Sequence, residues 1–415
     1  MRVVFWIMFL IMSSSAQILE INHKNGAKLI IKRTAGPGLV AGTLLIPGGT
    51  NGEKNPGETY LLSQLLLKGT AKYSAEEISS TFEDFGGSIS ISTHEDFIEL
   101  TFETRTQGLS RALDVIKSML KEPLLKEDDL VREKKNALEA IASRAESPQT
   151  FAMDKLRAFT FRRTSYEYPP IGTPEGISST TVDRLKQRLS EALNVKGSIL
   201  AIVGDFEPSD FKDRLLEVLD ALNVSQGNIS TSELIMTESK QIRLSREGSQ
   251  STVVCMFMAP SPKDRDYYPF LVFDSALGSG MSSLLFQELR EKRGYAYAVY
   301  SFVRSFARAS RLLTYIGTSP QNGEKVMSEM IELVKSHSFK EEQVELAKRR
   351  LIGLHLLRRQ TRRQQSSALA WNEALGAGWR SEEEFQNLIS SVDTNAVNSV
   401  KEKYTKYYHC ILVGP

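Results

Sequence analysis

Five histidines, His23, His94, His337, His355 and His409, are the residues with which this chain could ligate a metal or shuttle protons. None is followed at i+4 on one helix by a second His or a carboxylate, the spacing that aims two ligands at one ion. His94-Glu95-Asp96 gathers three ionisable groups. At a hairpin tip, however, adjacent side chains point to opposite faces, so solvated turn residues are expected there. Cys255 and Cys410 each lie in an apolar run, where a free Cys behaves as a small hydrophobe, and they form no C-x-x-C pair. A disulfide between them in an exported chain stays open. No G-x-S-x-G elbow or S-x-x-K motif presents a nucleophilic serine. The segment that stands out runs from Ser282 to Tyr297, SSLLFQELREKRGYAY. Here Arg290 falls near the end of a helical pattern and Tyr297 heads a strand. Both side chains are hydrogen-bond donors. An Arg at a helix C-terminus also favours the helix dipole by about 0.3–1 kcal/mol, and a strand Tyr commonly packs a sheet face, so the bland reading stands beside a functional one. Tyr295 and Tyr300 read as packing residues and Arg293 as a surface charge.

The elements that hold these residues follow from apolar periodicity. Strands are predicted at Ile18 to Lys24 and Ala27 to Arg33, flanking an Asn25-Gly26 pair of the type I′ hairpin kind, and at Leu39 to Pro47. Glu58 to Lys68 is a compact helix closed by Gly69. Strands Ser88 to Thr93 and Phe97 to Thr104 come next. Leu109, Leu113, Ile116 and Leu120 then share one face of a helix, and a charged helix runs from Lys126 to Ala145. A helix around Thr181 to Asn194 and a buried strand, Ser198 to Val203, complete the half. The second half repeats the order. Thr252 to Met258 is a strand, Tyr267 to Leu289 is helical with a break at Gly278-Ser279-Gly280, and Ala296 to Val303 and Arg311 to Thr318 are strands. Helices over Asn322 to Ser336 and Glu341 to Gln360 lead to a last strand at His409 to Val413.

Val203-Gly204 and Val413-Gly414 are 210 residues apart, as are Asp183 and Asp393, while Lys126-Glu127 and Lys340-Glu341 are 214 apart. Such near-constant offsets mark an internal duplication of domain size. Strands and helices come in clusters, so the expected class is α+β: two homologous domains of about 210 residues, each a mixed sheet with helices packed on one face. The expected boundaries are 17–222 and 241–415, joined by a linker over 223–240 whose polar start carries N-x-S patterns at Asn223 and Asn228. Lys+Arg 52 against Asp+Glu 50 leaves a net charge of +2, which with 41% hydrophobic residues excludes disorder and offers no electrostatic footprint for nucleic acid. At the start, Arg2, the apolar run Val3 to Met12 and Ser13-Ser14-Ser15-Ala16 read as a signal peptide over residues 1–16. The run is half the length needed to span a bilayer, so no stable membrane span is expected.

The Ser282 to Tyr297 block resembles the inverted-motif zinc peptidases of the insulinase, pitrilysin and mitochondrial processing peptidase family. In that family a helix ending in Leu-Arg, then Gly, then Tyr seven residues after the Arg supplies an Arg/Tyr pair, here Arg290 and Tyr297. The resemblance also implies two similar domains per unit of roughly 400 residues, and units that close like a clamshell around a peptide. A second block qualifies it. Family members carry H-x-x-E-H on the first long helix, a Leu-x-Lys-Gly-Thr-like ending, and a further Glu 76 residues beyond the second His. The chain keeps the ending, Leu66-Leu67-Lys68-Gly69-Thr70, but has Tyr60 and Gln64 at the His positions, Ser63 at the catalytic Glu and Ala140 at the third ligand. Glu139 is adjacent, yet one residue is about 100° around a helix. Pro170 to Ile177 and Val203-Gly204-Asp205 extend the likeness across nearly the whole chain.

Zinc hydrolysis needs three protein ligands, an open position for water and a carboxylate base. With Tyr60, Ser63, Gln64 and Ala140 at those positions, the resemblance implies that the chain holds no cofactor of its own. The resemblance implies that it is the zinc-free subunit of a heterodimeric zinc metalloendopeptidase, periplasmic or otherwise extracytoplasmic, with zinc in a homologous H-x-x-E-H partner. Arg290 and Tyr297 are then the catalytic contribution, donors to the oxyanion of a peptide substrate. The alternative is a structural or peptide-binding scaffold of the same fold.

Overall fold

A computed structural model describes residues 18–194, 196–222 and 233–415. The expected signal peptide, and Asn223 and Asn228 of the linker, lie outside the described residues.

The first half contributes strands β1 (Ile18–Asn22), β2 (Lys28–Arg33), β3 (Leu39–Pro47), β4 (Ser88–Thr93), β5 (Phe97–Arg105) and β6 (Ile199–Gly204). Its helices are α1 (Glu58–Leu65), α2 (Ala75–Glu83), α3 (Thr106–Lys121), α4 (Glu127–Glu146), α5 (Pro148–Thr160), α6 (Pro174–Ser179), α7 (Val182–Leu193) and α8 (Pro208–Asp220). The second half adds β7 (Lys240–Ser245), β8 (Ser251–Met258), β9 (Ala296–Arg304), β10 (Arg311–Thr318) and β11 (Tyr408–Gly414). Between them run α9 (Tyr267–Gly278), a π-helical turn (Phe286–Lys292), a short 3-10 turn (Pro320–Asn322), α10 (Gly323–Ser336), α11 (Glu341–Leu357), α12 (Arg362–Ala374), α13 (Arg380–Ser390) and α14 (Thr394–Tyr404).

Two mixed sheets result, ordered β1-β2-β6-β3-β5-β4 and β7-β11-β8-β10-β9. Leaving β1 aside, their strand orders correspond one to one. β2 runs parallel to β6 as β7 runs parallel to β11, and the remaining neighbours are antiparallel in both. The duplication read from the offsets is therefore a duplication of topology, in which β9 corresponds to β4, α9 to α1 and α11 to α4.

Each sheet packs its own helices on one face. Leu29, Ile31, Leu44, Leu200 and Ile202 face that side of the first sheet, and Val253, Cys255, Phe257 and Leu312 that of the second. The opposite faces are covered by an exchange. Helix α12 of the second half lies on β3 and β6, burying Leu369 and Ala370 against Ile30, Leu45 and Ala201, while α5 of the first half lies on β8 and β11, burying Ala152 and Leu156 against Val254 and Met256. Strands buried on both sides explain the near-continuous apolar runs in the sequence.

One local expectation is corrected and one open point settled. In the β1–β2 hairpin only Gly26 has positive φ (+81°), so the turn is not type I′. The loop closes through Gly26 N–H donating to the His23 carbonyl at 2.9 Å and His23 N–H to the Ala27 carbonyl at 2.8 Å. Asn25 spends its side chain on the end of α8, donating to the Leu219 and Leu222 carbonyls at 2.8 and 3.0 Å. That tertiary contact selects the longer loop. Cys255 and Cys410, whose pairing the sequence left open, are directly opposite in the β8–β11 ladder and joined by a disulfide.

Candidate functional site

The π-helical turn that ends at Lys292 buries Leu289 completely and leaves Arg290 exposed. Widened turns of this kind are uncommon and recur at functional positions. Gly294 at φ +64° reverses the chain, its N–H donating to the Arg290 carbonyl at 3.0 Å and that of Tyr295 to Leu289 at 2.9 Å. A side chain at that φ would be strained. Strand β9 then begins with an irregularity. Thr318 opposes Ala296 and Gly317 opposes Ala298, so Tyr297 is the extra residue of a β-bulge. A bulge bends its strand and re-aims a side chain. Tyr297 is accordingly 61% exposed.

The charges around the pair separate Arg290 from its neighbours. Lys292 pairs with Glu288 at 2.6 Å, and Arg293 pairs with Glu288 at 2.7 Å and Glu329 at 3.1 Å. Arg293 is thus a fastener of the turn and not a bare surface charge. Among the described residues Arg290 makes no ion pair; its guanidinium lies 4.9 Å from the centroid of the Phe286 ring. Tyr297 likewise has no hydrogen-bond partner among the described residues. Tyr295 and Tyr300 are packing residues: Tyr295 is half-buried against the second core, and Tyr300 stacks on Tyr315 at 5.0 Å.

On the first half, α1, which carries Tyr60, Ser63 and Gln64, packs against α4, which carries Ala140. Tyr60 is half-buried against the core, and burial, helped by Glu133, pushes its phenol up. Ser63 is fully buried, donating to the Thr59 carbonyl at 2.9 Å and lying 2.8 Å from the Thr93 hydroxyl of β4. Glu133 is held by Lys68 at 2.9 Å, and Glu139 is exposed beside Lys135. Tyr60, Gln64 and Ala140 offer no thiolate, imidazole or carboxylate. Among the described residues no group of three His, Cys, Asp or Glu side chains is placed to hold a metal ion. These residues do not fit zinc, and no hydrolytic step through a metal is assigned to this chain.

The expectation for His94-Glu95-Asp96 is half right. The three residues do form the β4–β5 turn, but Glu95 and Asp96 are only 3% and 4% exposed. Glu95 accepts from Arg157 at 2.6 Å and Arg304 at 2.8 Å, and Asp96 accepts from the Tyr166 hydroxyl at 2.5 Å and the Ala307 N–H at 2.9 Å. The second half closes over this turn. Nothing local to the turn signals it, because the partners come from 62 to 211 positions away. His94 pairs with Glu99 at 3.0 Å and meets Trp371 of α12 edge-on.

Two family profiles match the chain, one described as Insulinase (Peptidase family M16) over residues 40–174 and one as Peptidase M16 inactive domain over residues 179–351. Among similar proteins, an uncharacterized zinc protease of Bacillus subtilis, YmxG, is 25% identical over 398 residues, covering 94% of this chain and 97% of that protein. An uncharacterized zinc protease of Rickettsia bellii is 22% identical over 400 residues, covering 94% and 96%. A crystal structure titled as a peptidase M16 inactive domain from Pseudomonas fluorescens matches with a TM-score of 0.88 at 19% identity, covering 96% of this chain and 98% of that one. A protease from Helicobacter pylori matches with a TM-score of 0.86 at 19% identity, covering 96% and 100%. At such identities the solved structures speak for the fold alone. Profiles, relatives and the duplicated α+β architecture agree: the chain belongs to the M16, insulinase-type, peptidase family.

Proposed function

We propose that this chain is the zinc-free subunit of a heterodimeric, extracytoplasmic zinc metalloendopeptidase. Its partner carries an intact H-x-x-E-H motif, holds the metal and activates the water. Arg290 and Tyr297 reach across the chamber and donate hydrogen bonds to the oxyanion that develops on the scissile carbonyl. Donors set in place before the reaction need no reorganisation as charge appears, which is why such groups are worth so much in a shielded site. The observation that carries the reading is the placement of Arg290 and Tyr297 on two backbone irregularities, a π-turn and a β-bulge, with both side chains exposed and no polar partner for either among the described residues. Strand β9 is an end strand of its sheet, so a peptide can lie along it by strand addition. The disulfide between Cys255 and Cys410 and the signal-like first 16 residues support an oxidising compartment.

The test is reconstitution with a homologous H-x-x-E-H chain. The purified chain alone should cleave no peptide, and the mixture should become active with zinc bound by the partner. In the assembled pair, Tyr297→Phe and Arg290→Gln should each lower turnover by about 10²–10³ with assembly intact. Arg293→Gln, which loosens the turn, should cost far less. Unchanged turnover in the first two variants, or zinc-dependent proteolysis by the isolated chain, sinks the reading.

A further inference from the structure

Where the two halves meet, a cavity of about 260 Å³ opens between α5, the β9–β10 hairpin and the Pro169-Pro170 turn. Four arginines line it, Arg144, Arg157, Arg304 and Arg311. Two carboxylates answer three of them. Asp154 accepts two hydrogen bonds from Arg144, at 2.9 and 3.0 Å, and Glu95 takes Arg157 and Arg304. Arg311 has no carboxylate within ion-pair distance among the described residues, although it is only 2% exposed. Two of its nitrogens donate to the Ser310 and Leu234 carbonyls, at 2.9 and 2.6 Å. Its Nε has no partner, and neither does the buried Nε of Arg144 on the same cavity. A buried guanidinium that forms no ion pair among the described residues, its charge answered only from farther off by Glu233, is costly, on the order of several kcal/mol, and burial pushes Arg311 down to about 10. Unsatisfied donors of this kind call for a specific explanation.

Apart from Asp154 and Thr150, the rest of the lining is apolar or aromatic. Arg311 lies 5.0 Å from the centroid of Phe161, and Arg304 lies 5.1 Å from that of Phe306. Phe302 and Met256 complete a greasy wall. With aromatic rings beside the guanidinium groups and several of their N–H donors already used, the unpartnered Nε–H groups of Arg144 and Arg311 remain for an anion such as a carboxylate. The volume lies just below the ~300 Å³ at which sites for drug-sized molecules begin. We propose that this cavity binds a small monocarboxylate with an aromatic or aliphatic body, its anionic group received by Arg311 and Arg144 and its body by the phenylalanine wall. A free aryl or alkyl acid and the C-terminal residue of a peptide share this chemistry. The inference is independent of the role of Arg290 and Tyr297.

Calorimetric titration of the full chain at neutral pH tests it with five probes: 3-phenylpropionate, its amide, an N-acetylated tetrapeptide ending in Phe, the same peptide amidated, and inorganic phosphate. Saturable one-to-one binding is expected for the acids, with each amide about tenfold weaker or worse. Tighter binding of the peptide acid assigns the site to chain termini, and tighter binding of phenylpropionate assigns it to free acids. Arg144→Gln, a change at a half-exposed residue, should weaken the acids about fivefold or more, and Arg311→Met, checked for folding by circular dichroism, should abolish binding. No saturable binding of either acid at millimolar concentration, phosphate binding as tightly as the acids, or affinities untouched in Arg144→Gln would overturn the proposal.

Discussion

Arg304, at the end of β9, donates to Glu95 of the β4–β5 turn across 2.8 Å, joining the two halves of the duplication through a carboxylate that is 3% exposed. Arg157 of α5 completes the triad at 2.6 Å. Next to it, Asp96 collects Tyr166 and the Ala307 amide. Burial pushes the Asp96 carboxyl up and the Tyr166 phenol up as well, so both sit comfortably in the hydrogen-bonded pair. Together with the exchanged helices α5 and α12, this knot makes the halves a single body and holds β9, with Tyr297, at a set orientation.

Removing the Glu95 charge should therefore be expensive. Glu95→Gln leaves two guanidinium groups without their counter-charge and should cost about 3–5 kcal/mol in denaturant unfolding. Burial alone would raise the Glu95 carboxyl, but Arg157 and Arg304 hold it below its ordinary 4.5. The native state thus binds this proton more weakly than the unfolded chain. Its stabilisation is present above pH 4.5 and fades as pH falls through the lowered native value, so the gap between wild type and variant should narrow in acid. A gap of similar size at all pH values would contradict the assignment.

Asp274 of α9 behaves in the opposite sense. Burial raises its carboxyl to about 6, despite hydrogen bonds from the Ser301 hydroxyl and the Val303 amide. Here the native state holds the proton more tightly than the unfolded chain. Stability should decline as pH rises from about 4 to about 6, and the penalty is fully present above that. Asp274→Asn is expected to raise the melting temperature at pH 7, by the equivalent of up to about 3 kcal/mol, and to change it little at pH 4. A lower melting temperature at pH 7 would show that the charged form is needed for folding.

The disulfide closes a separation of 155 residues between two fully buried positions. Closing so long a loop restricts the unfolded chain, and the paired substitution Cys255→Ala with Cys410→Ala should cost about 2–4 kcal/mol in unfolding experiments. Alkylation of the unfolded, unreduced protein should find no free thiol. Two labelled cysteines per chain would overturn the pairing.

Much of this molecule is legible in its residues. Most strands and several helices follow from apolar pattern, although β7, α2, α5, α6, α8 and α12 to α14 do not, and the offsets near 210 announce the duplication that the two matching sheets repeat. That Tyr60, Gln64 and Ala140 offer no zinc-ligating group where the resemblance places the ligands is a matter of side-chain chemistry. Other features came only with the tertiary structure. Glu95 and Asp96 look like turn residues because their partners lie elsewhere in the chain; Cys255 and Cys410 become neighbours only through ladder register; Tyr297 is singled out by a bulge that its sequence does not mark. The helix exchange and the arginine-lined cavity likewise arise where the two halves meet. Local pattern reports the forces between near neighbours in sequence, whereas burial, pairing and unanswered charge depend on which distant segments the packing brings together.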